Sequence, residues 1–453
     1  MGQGHSHAPA PAAGLSPAAR AGRRRAHVLL MAVLVPLAGL TVLAMVLLWP
    51  TGDRGAVQVG SPYTAAPGVT FDTGTVKMAR MEDCPSAGPA QGSGGVAARQ
   101  CLVAHTQPDR GGAEVPVEVT PEIAKSHGVK AGDRIRYLNL SGVTSTGSVY
   151  MFTDFVRTVP MVLLALLYAV VVIAVARWRG LRAIVGLGGA YAVLAVFVLP
   201  ALVEGRPALP VALAGSAAIT FGVLYFAHGF SARTSTALLG TLFGLGAIAA
   251  LADWATGAAF LTGTGDENTY QLINGAGRLS VSGMITCGLV ISGLGVLNDV
   301  TVTQSSAVWE LHELAPHTSA RSLFASAMRI GRDHIASTVY TIAFAYAGAA
   351  LPVLILVMLY DQPLLDALTS GQLAEEVVRT LAGSIGLVLA VPVTTAVAVL
   401  IVKASTRAKD DWLPPAQGPR PAAGEDREAA APAGVHERRR GHREAEAPGV
   451  PAR

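Results

Sequence analysis

The residues best suited to chemistry lie on one stretch, Ser280 to Leu314, which reads SVSGMITCGLVISGLGVLNDVTVTQSSAVWELHEL. Wound as an α-helix at about 100° per residue, it points Gly288, Ser292, Gly295, Asp299, Thr303, Ser306, Glu310 and Glu313 within roughly 60° of one direction. The small residues would admit a neighbouring helix. The Asp299 carboxylate could take up a proton or a cation, and the hydroxyls could hold a polar solute. Leu297, Val300, Val308 and Leu311 point elsewhere, while Thr301 and Gln304 interrupt the segregation. Such a stripe is either a path or gate for a polar solute, or a helix that packs through its small residues and then emerges into water; the pattern leaves both open. A second carboxylate, Asp253 in LADWATG, falls inside or at the edge of another apolar run. An intramembrane carboxylate costs several kcal/mol unless paired or protonated, which makes Asp253 a second candidate.

Other chemistry finds little support. There is no Walker A loop, no Gly-x-Ser-x-Gly and no His-Glu-x-x-His; His312-Glu313 approaches the last, but His317 falls one residue too late. Two aspartates suggest intramembrane proteolysis, yet in GLGVLND Asp299 is displaced from the glycines. His5 and His7 are too few for a metal site, and no Cys-x-x-Cys is present. The reading is of a non-enzyme with no cofactor and no metal.

The elements that must position these residues are membrane helices. Only 14% of the 453 residues are charged, against about 25% in soluble domains, and mean hydropathy is +0.46. Apolar runs are expected to cross a bilayer at 159–176, 182–203, 209–228, 236–261, 280–300, 335–360 and 380–402. A run from Val28 to Trp49, behind Arg20 and Arg23 to Arg25, is read as an uncleaved signal anchor. The expected fold is therefore an all-α polytopic membrane protein of about eight transmembrane helices. Residues 1–26 are read as a disordered basic tail, 27–49 as the anchor, 50–157 as an extracytoplasmic β-rich domain, 158–403 as a seven-helix membrane domain and 404–453 as a disordered cytoplasmic tail. Strands are expected at Val115–Thr120, after the Gly132-Asp133 turn, and at Val149–Phe152, with a barrel as one arrangement. Cys84 and Cys101 fall in this domain, where they either form a disulfide or remain thiols. Cys287 reads as a small packing residue. Asp154 and Arg157 could pair on one helix face at the entry to the next span. His228 before Gly229 should end a helix, and Ser231 or Thr234 should cap the following one. Lysine and arginine concentrate on alternate loops, so both termini are expected on the inner, cytoplasmic side of the membrane. The net charge of +4 is explained by those loops and calls for no nucleic-acid partner. The partners left are the bilayer, an unknown small solute and, as an open question, further copies of the chain.

Asp154 with Arg157, RGLRAIVGL, HGFSARTSTALLGT, GLGVLNDVTVTQSSAVWEL and the later RSLFASAMRIGRDHIASTVYTIAFAYAGAALPVL together resemble the YibE/F-like family of bacterial multi-pass membrane proteins, over about residues 115 to 402. The resemblance implies an integral plasma-membrane protein of permease or transporter type, with Asp299 and Ser306 as the motif positions carried over. The function expected is secondary transport of a small polar or charged solute. The alternative is a non-transporting scaffold or sensor that works through its external domain.

Overall fold

Lipid offers a bare backbone no hydrogen-bond partners, so apolar segments of this length cross as helices. The computed structural model of the chain describes residues 17–52, 69–84, 100–126, 128–142, 149–263, 279–360 and 363–410. Helix α1 (Pro17–Leu47) leads to strands β1 (Thr70–Asp83), β2 (Gln100–Pro108) and β3 (Val115–Val119), a short α2 (Pro121–Ser126), β4 (Arg134–Asn139) and β5 (Tyr150–Phe155). The chain then re-enters helix as α3 (Thr158–Val193), which runs through a π turn at Leu194–Val198 into α4 (Leu199–Val203). Next come α5 (Ala208–His228), α6 (Ala232–Ala258), α7 (Val281–Leu314), α8 (Ala320–Ala349), α9 (Leu351–Leu359), α10 (Leu364–Leu368) and α11 (Gly371–Asp410). The tails before residue 17 and after residue 410, with His5 and His7, lie outside the described residues.

The expected eight spans are met in part. Among the described residues six helices are long and apolar enough to cross a membrane, and a seventh span results if α8 and α9, bent by 65°, are counted together. The difference arises in α3, where the segments expected at 159–176 and 182–203 run on as one 46-residue helical stretch. That stretch is broken at Arg177, whose φ of 54° and ψ of −132° leave the helical region. A Cβ placed on Gly180 would lie 2.5 Å from the Val172 carbonyl oxygen. Residues eight apart in a straight helix are separated by about 12 Å, so the chain turns sharply here.

The five strands close a barrel in the order β1-β2-β3-β5-β4, with β3 and β5 parallel and the other pairs antiparallel. With α2 between β3 and β4, this is a Greek-key barrel of the OB type. Val76, Ala104, Val117, Ile135, Tyr137 and Phe152 fill it. Burial, reinforced by the Asp72 carboxylate, pushes the Tyr137 phenol up to about 12. Three strands coincide with the expected ones. β1 and β2 are not among the expected strands; β1 carries a register shift between Val76 and Met78 that interrupts its alternation, and β2 buries the adjacent pair Val103 and Ala104. Asp154 and Arg157 do pair, at 2.7 Å, but not on one helix face: Asp154 belongs to β5 and Arg157 precedes α3.

Local signals further along the chain act as the residues suggest. α5 ends at His228 with Gly229 at a φ of 76°, and Ser231 caps α6 by accepting from the Thr234 amide at 3.1 Å. Cys287 is buried in the main apolar core. Cys84 and Cys101 are joined as a disulfide across 17 residues of sequence; the stretch they enclose, 85–99, lies outside the described residues.

A cross-link over a loop of this length lowers the entropy of the unfolded barrel by the equivalent of about 3 kcal/mol. Replacing both cysteines by serine in the full chain is therefore expected to lower the stability of the barrel by about that margin, read as a fall in its urea midpoint by pulse proteolysis. An unchanged midpoint would show that the barrel does not depend on the staple.

Candidate functional site

A polar vestibule of about 490 Å³ opens on the side where α1 leaves the membrane toward the barrel. Its walls are the turn before α5 (Arg206, Pro207), the end of α6 (Asp253, Thr256) and the start of α7 (Ser280, Ser282, Thr286). Ser280 caps α7 by accepting from the Gly283 amide at 3.1 Å, so the positive end of that helix faces the space. Thr286 donates to Thr256 at 3.1 Å and to the Ser282 carbonyl at 3.0 Å, tying α7 to α6 at the wall. The Asp253 side chain is exposed and makes no hydrogen bond or ion pair among the described residues. Arg206 supplies the opposite charge at the rim. It leans on Glu204 at 3.8 Å and donates to the Trp49 carbonyl at 3.5 Å.

Below the vestibule the bundle is shut. Ile248 of α6 lies between two glycines: a Cβ on Gly293 of α7 would come within 2.4 Å of it, and one on Gly386 of α11 within 2.2 Å. Leu289, Val290 and Leu297 are fully buried around this contact. Further along, α6, α7, α8 and α11 are joined by buried polar groups. Thr241 and Thr301 share a hydrogen bond of 2.7 Å, and Gln304 donates to Thr395 at 2.7 Å and to the Ala327 carbonyl at 3.0 Å. Ser305 donates to the Arg233 carbonyl at 2.8 Å. Gly240 lets Thr394 against α6; an added Cβ would sit 1.9 Å from its hydroxyl.

The stripe read from the sequence lies on the opposite face of α7. Nothing is within 4 Å of a Cβ placed at Gly288 or Gly295, so neither glycine serves the close helix approach expected of it. Asp299, Thr303 and Glu310 are exposed, and Ser292 and Ser306 turn back onto the Leu289 and Val302 carbonyls of their own helix. Asp299 faces His334 of α8 at 3.9 Å. It lies 13 positions along α7 from Thr286, about 20 Å below the vestibule wall, so Asp253 and Asp299 occupy opposite halves of the bundle. Thr301 and Gln304, the two interruptions of the stripe, turn out to be the buried contacts.

Two further ionic features bear on the bundle. Glu376 and Arg379 pair at 2.6 Å near the start of α11, with Arg379 over the Tyr346 ring at 5.9 Å. Their i, i+3 spacing is visible in the sequence, but they fall just before the span expected at 380–402. Glu204 is the second. Its side chain is 5% exposed and accepts from the Thr51 amide at 2.9 Å, the Gly52 amide at 2.7 Å and the Thr51 hydroxyl. No local pattern links residues so far apart in the chain. This latch fixes the end of α1 beside the vestibule.

Two tests follow from this geometry. Gly240→Ala is expected to cost about 1–3 kcal/mol through overpacking, and Thr394→Ala in the same chain should recover most of it; additive losses in the double-mutant cycle would refute the contact. The Thr51 amide above all, with Gly52 and the Arg206 charge, holds the Glu204 carboxyl below its ordinary 4.5. A depressed carboxyl stabilises the fold fully above the unfolded value and loses that contribution as pH falls through the folded one. Hydrogen exchange at Thr51 and Gly52 should therefore accelerate, beyond its intrinsic pH dependence, only below pH 4.5. Glu204→Gln should flatten that extra dependence.

The family model for YibE/F-like proteins matches residues 164–404, which runs from within α3 into α11 and leaves α1 and the barrel outside. No curated protein and no solved structure matches the chain. A match across more than half of the sequence, on the helices that build the site, assigns this multi-pass membrane protein to the YibE/F-like family.

Proposed function

We propose that the protein is a secondary transporter of a small polar or charged solute. The observation that carries this reading is the polar vestibule at Asp253, together with the tight packing of α6, α7 and α11 around Ile248 further along the bundle. A site open to one side and sealed toward the other is what alternating access requires of one of its states. Asp253, the α7 N-terminus and the rim Arg206 offer a solute both signs of charge. Asp299, beside His334 in the other half, is the group that takes up a proton or cation on the opposite side. Movement of α7 against α6 and α11 would open the lower half, since these three helices hold the closure. The reading is of transport and not of catalysis.

The finer topology belongs to the same proposal. The Arg177 break divides the 46-residue stretch into two parts, each near the roughly 20 residues that cross a bilayer. Counted as two spans, and with α8 and α9 as one, the chain crosses eight times. The arginine-rich loops then fall in the cytoplasm of a bacterial plasma membrane, with both termini there and the barrel outside. The closed, disulfide-linked barrel favours a second reading, a sensor or scaffold that binds its ligand outside the membrane.

Asp253→Asn should reduce solute flux in proteoliposomes by at least tenfold while leaving the thermal midpoint unchanged. Asp299→Asn should remove the dependence of flux on the ion gradient. Full flux in both variants, or gradient-driven flux absent from the wild type for every class of small charged solute, would favour the sensor.

A further inference from the structure

Away from the vestibule, a second concave surface lies between the later part of α3 and α5. An apolar groove of about 360 Å³ runs along Val185, Gly189, Val193, Ile219, Gly222 and Phe226. A wider cavity of about 670 Å³ adjoins it at the end of α5, sharing Gly222 and Phe226 and adding Arg182, Tyr225 and Phe230. The two form one amphipathic slot, apolar within the membrane and basic at its boundary.

Three observations suggest what fills it. First, the glycines at 189 and 222 are not needed for helix packing, because an added Cβ at either meets nothing within 4 Å. Glycine is a poorer helix former than alanine, and what their bareness preserves is the groove. Gly186 is different: its Cβ would touch Val223 at 3.7 Å, so it sets the approach of the two helices. Second, Arg182 has no carboxylate partner among the described residues, and α3 and α5 carry no Asp or Glu at all. A two-fold contact with another copy through this face would bring arginine against arginine. Third, Tyr225 and the 88%-exposed Phe230 stack at 4.4 Å beside the cavity, at the height where aromatic rings meet lipid headgroups.

We infer that this slot binds a phospholipid with an anionic headgroup. Its acyl chain lies on Gly189 and Gly222, and its phosphate accepts hydrogen bonds from the Arg182 guanidinium, a recognition mode that basic pockets between membrane helices share. The site is independent of the transport reading, since no vestibule residue contributes to it.

The test uses the full chain, purified in detergent and exchanged into nanodiscs of pure phosphatidylcholine or of phosphatidylcholine with 20% phosphatidylglycerol (about one lipid in five). Retained lipid is counted by native mass spectrometry. The wild type is expected to keep phosphatidylglycerol at least fivefold above its share of the mixture. Arg182→Gln should remove that enrichment while retaining lipid of either kind, and Gly222→Leu should reduce total retained lipid. Arg182 is exposed, so its substitution leaves packing intact and keeps the test decisive if the leucine variant fails to fold. Equal retention of both lipids by the wild type, or enrichment that survives Arg182→Gln, would overturn the inference. A dimer that dissociates in Gly222→Leu would also overturn it and assign the groove to a second copy.

Discussion

Everything in the membrane domain rests on how closely α6, α7 and α11 approach one another around Ile248. In lipid, apolar side chains gain little by touching each other rather than acyl chains, so helices associate through van der Waals fit and interhelical hydrogen bonds. Here the fit comes from glycine. Ile248 presses on Gly293 and Gly386, Thr394 presses on Gly240, and Leu297 presses on Gly244. Any larger residue at those glycines would drive the three axes apart. The hydrogen bonds Thr241–Thr301 and Gln304–Thr395 are then short because the backbones are already close. A buried hydroxyl or amide left without such a partner would cost about 1–3 kcal/mol, so packing and polar pairing enforce each other.

That central contact sets the rest of the architecture. With α6, α7 and α11 fixed, the end of α6 and the start of α7 form two walls of the vestibule, joined by the Thr286–Thr256 hydrogen bond. The Glu204 latch brings the end of α1 to the vestibule rim, which connects the tether of the barrel to the candidate site. Outside this core, the most apolar part of α3 buries none of its residues against the protein. It is therefore a lipid-facing element, while the groove against α5 belongs to the later part of α3, beyond the Arg177 break.

The polar face of α7 shows how a helix in a membrane can mislead. Its stripe combined small residues with a carboxylate, the combination usually found inside a bundle. In the structure, hydroxyls on that face are satisfied by their own helix, as Ser306 is by the Val302 carbonyl, so they place no demand on an interior. Asp299 lies far enough along α7 to meet His334 in an open setting. The face that is buried carries Gly293, Thr301, Gln304 and Ser305, of which Thr301 and Gln304 are the two that interrupt a wheel drawn around Gly288. Small and polar residues occur on both sides of this helix, and only the neighbours decide which side is covered.

The class of the protein was legible in the residues themselves. Long apolar runs with few charges can satisfy their backbones only as membrane helices, and the motifs from RGLRAIVGL to the Asp299 segment were enough to place the family. Three barrel strands, the Ser231 cap and the His228–Gly229 stop were also local matters, set by alternation, capping chemistry and a positive φ. What the tertiary structure decided was everything that depends on which surfaces meet. It chose the face of α7 that is buried, turned the chain sharply at Arg177, and put Asp154 in a strand. It also brought Glu204 to Thr51 and grouped Asp253 with Arg206 and Ser280 around one cavity. These relations join residues far apart in sequence, and no periodicity within a single helix encodes the partner that will lie against it.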